Sequence, residues 1–262
     1  MIESPTDRLR LEQKGHTALL TINNPPANTW NQESLTGLVH IVESLNETRE
    51  IYALVITGEG NKFFSAGADL KMFASGDKAV AATLSVAFGR AFETLSRFRG
   101  VSIAAINGYA MGGGLECALA CDIRIAEQHS QLALPEASVG LLPCGGGTQN
   151  LPWLIGEGWA KRMILCGERI GAETAREIGL VEELQPPGES LSAALELAGR
   201  VAAQSPSSVT VCKQLIQAAR GGAINSAYAQ EREDFVQLFD TQDQAEGVNA
   251  FLEKRKPEWK NQ

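Results

Sequence analysis

Two short apolar or alternating runs open the chain, residues 9–13 and 17–22, with Lys14-Gly15-His16 between them. Runs of this length parted by a turn signal read as a β-hairpin. Asn24-Pro25-Pro26-Ala27-Asn28 breaks the pattern. Asn31 then stands where it can cap a helix whose apolar positions are Leu35, Leu38, Val39 and Val42. Residues 51–57 form a β-branched strand pattern ended by Gly58 and Gly60, residues 61–70 read as a loop, and an amphipathic helix is predicted from about residue 79 to 98. A further strand at 101–107 feeds the run Gly112-Gly113-Gly114 and a short apolar helix over 115–121, followed by strand patterns at 123–126 and 132–134.

After Thr148 the pattern becomes mostly helical. Gln185-Pro186-Pro187-Gly188 is the clearest punctuation, and only helices are predicted beyond it. Strands alternating with helices imply an α/β architecture. Residues 1–188 are expected to form the core and residues 189–262 a helical appendage.

Composition narrows the function. The chain has 262 residues, 44% of them hydrophobic, enough for a sizeable core. Its formal net charge is -8 and its pI is near 5.1, the opposite of the basic footprint of a nucleic-acid binder. Any polyanionic ligand must therefore meet a local basic patch; Lys254, Arg255, Lys256 and Lys260 form the densest one. No apolar run reaches the roughly 18 residues that span a bilayer. Residues 1–15 are polar and lack the apolar middle of a secretory signal, so a cytoplasmic location is expected. Cys117 and Cys121 lie in an apolar segment without nearby histidines and read as buried thiols rather than metal ligands. His16, His40 and His129 stand apart in polar surroundings and read as surface residues.

The residues that carry chemistry lie between 107 and 149. A strand feeding a glycine run feeding a helix lets the backbone approach a ligand. The free N–H groups of the helix start then suit a negative or developing-negative oxygen. Tight strand–helix packing would give the same pattern. Neither a P-loop nor a dinucleotide fingerprint is present. Glu116 has Leu115, Ala118, Leu119 and Ala120 as helical neighbours, so its helix offers it no solvated face. Burial without a partner raises a carboxyl pKa, which points to catalysis, with a structural ion pair or a place on the helix surface as the other readings. Glu136, in Leu134-Pro135-Glu136, is by itself either a surface carboxylate or the second member of an acid/base pair.

Residues 64–70, 112–122, 134–136 and 145–149 together resemble the enoyl-CoA hydratase/isomerase (crotonase) family. Ala27-Asn28-Thr29-Trp30-Asn31 is similar to the family's Asn-Ala-x-Asn segment with Thr and Trp substituted, and residues 246–255 resemble its closing helix. The resemblance implies a ClpP/crotonase-like spiral of ββα units with a C-terminal helical region that builds trimers, often stacked into hexamers. It implies an acyl-CoA substrate, with coenzyme A as part of the substrate and no separate cofactor. It also implies an oxyanion hole from the N–H groups of Ala68 and Gly113, and Glu116 and Glu136 as the catalytic pair of an enoyl-CoA hydratase. Coenzyme A is expected around Ala27, Ala66, Ala68, Asp69 and Leu70, with Phe251 and Lys254 reaching the CoA of a neighbouring subunit. Other readings of the same scaffold are a Δ3,Δ2-enoyl-CoA isomerase, which needs one carboxylate, and a non-catalytic or RNA-binding homologue. No nucleic acid and no membrane are expected as partners.

Overall fold

The structure is a computed structural model and describes residues 3–73, 77–221 and 233–262. Strands β1 (Leu9–Lys14) and β2 (Thr17–Ile22) form the expected antiparallel hairpin. Asn31 caps α1 (Gln32–Glu47): its side chain accepts from the Ser34 N–H, and the Ser34 hydroxyl accepts from the Asn31 N–H. From there the chain repeats one unit. β3 (Ala53–Gly58), β4 (Phe63–Ser65) and α2 (Lys78–Ser96) make the first turn. β5 (Val101–Ile106), β6 (Tyr109–Met111) and α3 (Gly113–Ala120) make the second. β7 (Ile123–Glu127), β8 (Gln131–Ala133) and α4 (Gly147–Leu165, broken at Gly156) make the third.

Each unit sends its first strand to one sheet and its second to another. With β9 (Ile170–Gly171) and β10 (Glu183–Gln185), joined through α5 (Ala172–Glu177), the described residues form a six-stranded sheet ordered β1-β2-β3-β5-β7-β10 and a four-stranded one ordered β4-β6-β8-β9. This is a spiral of ββα units, as the resemblance implied. The predicted loop at 61–70 contains β4, and β6, β9 and β10 are also additions to the sequence reading. Each is two or three residues long, too short to show a period of two, and pairs with segments distant in sequence.

Alternation along the long strands sorts the core into two layers. Leu54, Ile56, Ala104, Ile106 and Ala126 face a cluster that includes Leu38 and Val42 of α1 and Phe92 and Leu95 of α2. Their neighbours Val55, Ile103, Ala105 and Ile125 face the other way, onto Ala194 and Ala198 of α6 (Ser190–Ala202). Although α6 follows the punctuation at 185–188, it is a layer of the core. Its first residue is tied to the end of β7: the Ser190 hydroxyl donates to the buried Glu127 carboxylate at 2.8 Å. The last helices, α7 (Pro206–Ala218) and α8 (Gln242–Glu253), follow. α7 is pinned through Lys213, whose Nζ donates to Phe98 O, Gly100 O and Asp122 Oδ2 at 2.6, 3.0 and 2.7 Å. Ile216, Phe235, Val236, Phe239 and Leu252 in this region keep apolar side chains exposed. Among the described residues no helix is long and apolar enough to cross a membrane.

Ala194 and Ala198 are one helical turn apart and fully buried, which sets how closely α6 lies on the sheet. Ala198→Leu should cost about 1–3 kcal/mol by overpacking. It should lower the urea midpoint without changing the slope, whereas Leu165→Ala at an exposed position should stay within about 0.5 kcal/mol of wild type.

Candidate active site

The site grows from the close approach of two backbone segments. The loop after β4 lies against the start of α3 so tightly that a Cβ on Gly114 would stand 2.2 Å from Ser65 O. Only glycine fits there. Gly67 has φ +90°, a conformation that side chains disfavour, and its Cβ position lies 2.7 Å from Met111 O and 3.1 Å from Gly113 N. The loop carrying Ala68 thereby lies against the start of α3, and Ala68 and Gly113 line one cavity. Asparagines hold the turn ahead of this loop. Asn107 Nδ2 donates to Gly58 O and Gly60 O at 2.7 and 2.8 Å, and Asn28 Nδ2 to Glu59 O and Phe63 O at 3.0 and 2.8 Å.

Gly113 is the first residue of α3, so its N–H has no acceptor one turn back. The bridge between Trp30 and Ala68 is made through Gly67 O and Asp69 N, so it engages the groups on either side of the Ala68 N–H rather than that N–H itself. At the other end of α3, the buried Arg124 guanidinium donates to Cys121 O and Leu180 O at 2.9 Å each and pairs with Glu182 at 2.5 Å. A cation at the C-terminus and free N–H groups at the N-terminus both accord with the helix dipole. Sequence reasoning missed Arg124; the signal available was an arginine set among Ile123, Ile125 and Ala126 in a strand pattern.

Glu116, in the first turn of α3, is 2% exposed. Its Oε1 accepts from Gly145 N at 2.8 Å and Gly147 N at 2.9 Å. Gly147 begins α4, so the carboxylate also sits at a helix N-terminus. The glycines leave room for it: Cβ atoms on Gly145 and Gly147 would stand 3.0 Å from Oε2 and Oε1. Burial raises the Glu116 pKa, and the two N–H donors pull it back. The run Gly145-Gly146-Gly147 was visible in the sequence, but its role as the partner of Glu116 was not.

Glu136 opens a short 3-10 helix, Glu136–Val139, just past β8. Its Oε1 lies 3.0 Å from the Cβ position of Gly112, and among the described residues its buried Oε2 has no hydrogen-bond partner. Burial pushes its pKa up to about 7, its own backbone N–H opposes the rise, and the nearby Glu116 charge adds to it. Two amides from a distant segment oppose the rise at Glu116, so the surroundings favour the ionised form there more than at Glu136. The pair thus combines a carboxylate held by two amides of a distant segment with a carboxyl opposed in its rise only by its own backbone N–H, its Oε2 unpartnered among the described residues. Two titratable groups pushed apart by their surroundings are the pattern of an acid and a base.

Both face a cavity of about 700 Å³ that also has Ala66, Ala68, Gly112 and Gly113 in its wall. Its remaining wall is largely apolar, from Phe73, Ala81, Ala82 and Phe88 on one side to Leu141, Leu142 and Cys144 on the other. Of the expected coenzyme A contacts, Ala66, Ala68 and Leu70 line the cavity, and Ala27 O accepts from Ala66 N at 2.9 Å. Asp69 is not in the lining; its N–H donates to Trp30 O, and its Oδ1 accepts from Lys71 N. Lys254 is exposed just past α8 and does not line the cavity, and the Phe251 side chain lies outside the described residues. Cys117 and Cys121 are buried thiols, with burial pushing Cys121 up to about 12. Among the described residues no group of His, Cys, Asp or Glu is placed to hold a metal ion.

The desolvated Glu136 carboxyl has a consequence for stability. Its pKa is higher in the folded chain than in the unfolded one, so its contribution is complete below about 4.5 and is lost as pH rises through about 7. In urea titrations across that window, wild type should lose stability relative to Glu136→Gln, which has no charge to bury; parallel curves would contradict this.

Residues 12–262 match the enoyl-CoA hydratase/isomerase family. The chain is 39% identical to the 2,3-dehydroadipyl-CoA hydratase of Escherichia coli, over 96% of this chain and 98% of that protein. It is 37% identical to the short-chain-enoyl-CoA hydratase of Clostridium acetobutylicum, over 95% of each. Among solved structures it resembles Pseudomonas aeruginosa DspI with a TM-score of 0.95 at 66% identity, covering 97% of each chain. It resembles the enoyl-CoA hydratase of Bacillus anthracis with a TM-score of 0.94 at 34% identity, over 98% of this chain and 100% of that one. The ββα spiral is the crotonase fold, and the chain belongs to the enoyl-CoA hydratase/isomerase family.

Proposed function

We propose that the protein is a hydro-lyase that adds water across the trans-2 double bond of an enoyl-CoA thioester. The observation that carries this is the unequal pair at one cavity wall, with Glu116 accepting from Gly145 and Gly147 and the buried Oε2 of Glu136 unpartnered among the described residues. An isomerase needs one carboxylate to carry a proton between carbons, whereas addition of water benefits from two. Relatives named as enoyl-CoA hydratases support the same choice.

In this reading the thioester oxygen lies between the N–H groups of Ala68 and Gly113, which stabilise the enolate-like charge that develops on it. One such donor contributes about 100- to 1,000-fold to kcat in other enzymes. Ionised Glu116 takes a proton from water as the oxygen attacks the β carbon, and neutral Glu136 delivers its proton to the α carbon. The two carboxyls then exchange their protonation states, so the net addition is one water. Coenzyme A belongs to the substrate, and the chemistry calls for no separate cofactor. Its pantetheine and adenine follow Ala27, Ala66, Ala68, Asp69 and Leu70.

The helical region 189–262 serves homotrimer or hexamer assembly in the cytoplasm. Exposed Ile216, Phe235, Val236, Phe239 and Leu252 supply the apolar surface for it. Phe251 and Lys254 then reach the coenzyme A bound by a neighbouring subunit. The net charge of -8 speaks against a nucleic-acid partner.

Loss of the enoyl-thioester absorbance of crotonyl-CoA should require both glutamates. Glu116→Gln and Glu136→Gln should each keep the fold and lower kcat by about 100- to 10,000-fold with little change in KM. For wild type, kcat/KM should fall as pH rises through about 7, when Glu136 gives up the proton it must donate. Unchanged turnover in Glu116→Gln would overturn the assignment, and migration of the double bond without hydration would point to an isomerase. Binding of coenzyme A should weaken at high salt in wild type and lose that dependence in Lys254→Ala; equal salt dependence would remove Lys254 from the site.

A further inference from the structure

Trp30 stands where the resemblance marked a substitution, and nothing in the proposed chemistry uses it. Its side chain is fully buried, and its indole Nε1 has no hydrogen-bond partner among the described residues. A buried N–H left unpaired is destabilising, so the polar end of this residue gives no reason for its presence. Its location does. The Trp30 N–H donates to Gly67 O at 2.8 Å and the Asp69 N–H donates to Trp30 O at 3.0 Å, so its backbone grips the chain on both sides of Ala68. The ring meets the other half of the pair. A Cβ on Gly113 would stand 3.7 Å from Trp30 Cδ1 and 2.9 Å from Phe88 Cε1.

The ring itself is fixed from behind. Trp30 packs edge-on against Phe92 with centroids 5.6 Å apart, and Phe92 packs edge-on against Phe88 at 6.0 Å. On the following residue, the Asn31 capping box holds the backbone to the start of α1. One residue therefore lies against both proposed oxyanion donors: its main chain brackets Ala68, and its indole Cδ1 is 3.7 Å from where a Cβ on Gly113 would stand. We propose that Trp30 is a positioning residue whose ring sets the separation of the Ala68 and Gly113 N–H groups. This rests on the oxyanion reading given above. A smaller side chain would leave a gap between the loop and α3, letting the two donors drift from a common focus. Displacements of about 1 Å in a reacting geometry can cost about 100-fold in rate.

The test uses the full-length protein and an aromatic enoyl-CoA, whose conjugated band moves to longer wavelength when donors pull on the thioester oxygen. At saturating ligand, wild type and Trp30→Phe should show the full shift, since phenylalanine keeps an aromatic wedge and removes only the unpaired N–H. Trp30→Ala should show a diminished shift and about 10- to 100-fold lower kcat, with KM close to wild type. Should Trp30→Ala not fold, Trp30→Leu, which keeps more of the buried volume, should show the same direction. Leu45→Ala, a buried α1 position away from the cavity, is the control for loss of stability alone and should keep the full shift. A full shift and full kcat in Trp30→Ala or Trp30→Leu would overturn the proposal and leave the oxyanion reading standing. Absence of any shift in wild type would overturn the oxyanion reading itself.

Discussion

The Glu116 carboxylate, buried at 2% exposure and held by the N–H groups of Gly145 and Gly147, is the constraint around which the site is built. A charge in such a place is tolerable only where hydrogen bonds replace water. Those donors come from the start of α4, about 30 residues further along the chain, so the third ββα unit must close against the second before the carboxylate is satisfied. α3 must also carry no side chain at Gly114, where the Ser65 carbonyl approaches. The same closure that satisfies Glu116 brings Glu136 over Gly112 and leaves its Oε2 without a partner among the described residues. One fold-level contact thus produces both halves of the candidate acid/base pair, and the amides of Gly145 and Gly147 are what hold back the rise at Glu116.

The remaining architecture supports that contact from below. Alternating residues on β3, β5 and β7 are buried on both faces, against α1 and α2 on one side and the small-residue face of α6 on the other. Arg124 binds the carbonyl end of α3 with complementary charge while its amide end faces the cavity. The cavity wall beyond the glutamates is mostly apolar, which strengthens every electrostatic interaction within it.

Much of this was legible in the sequence, and for local reasons. The helix neighbours of Glu116 gave away its burial, the glycine run gave away a close backbone approach, and Asn31 gave away the start of α1. Strands β4, β6, β9 and β10 were not legible, because two or three residues cannot display a period. α6 read as part of an appendage since its alanines look like any helical surface until Val55, Ile103 and Ile125 are placed opposite them. The partners of Glu116 and Arg124 lie about 30 and 60 residues away, and the burial of Trp30 against α3 depends on three elements meeting. Long-range pairing of this kind is where a single sequence is silent.

The central claim is that the two glutamates hold different protonation states at the same pH. Infrared difference spectroscopy of the carboxyl stretch, comparing wild type with Glu116→Gln and Glu136→Gln at about pH 6, reads this directly. A protonated-carboxyl band that is present in wild type, persists in Glu116→Gln and vanishes in Glu136→Gln is the result expected. A band that vanishes with Glu116 instead, or no protonated carboxyl at all, would contradict the account.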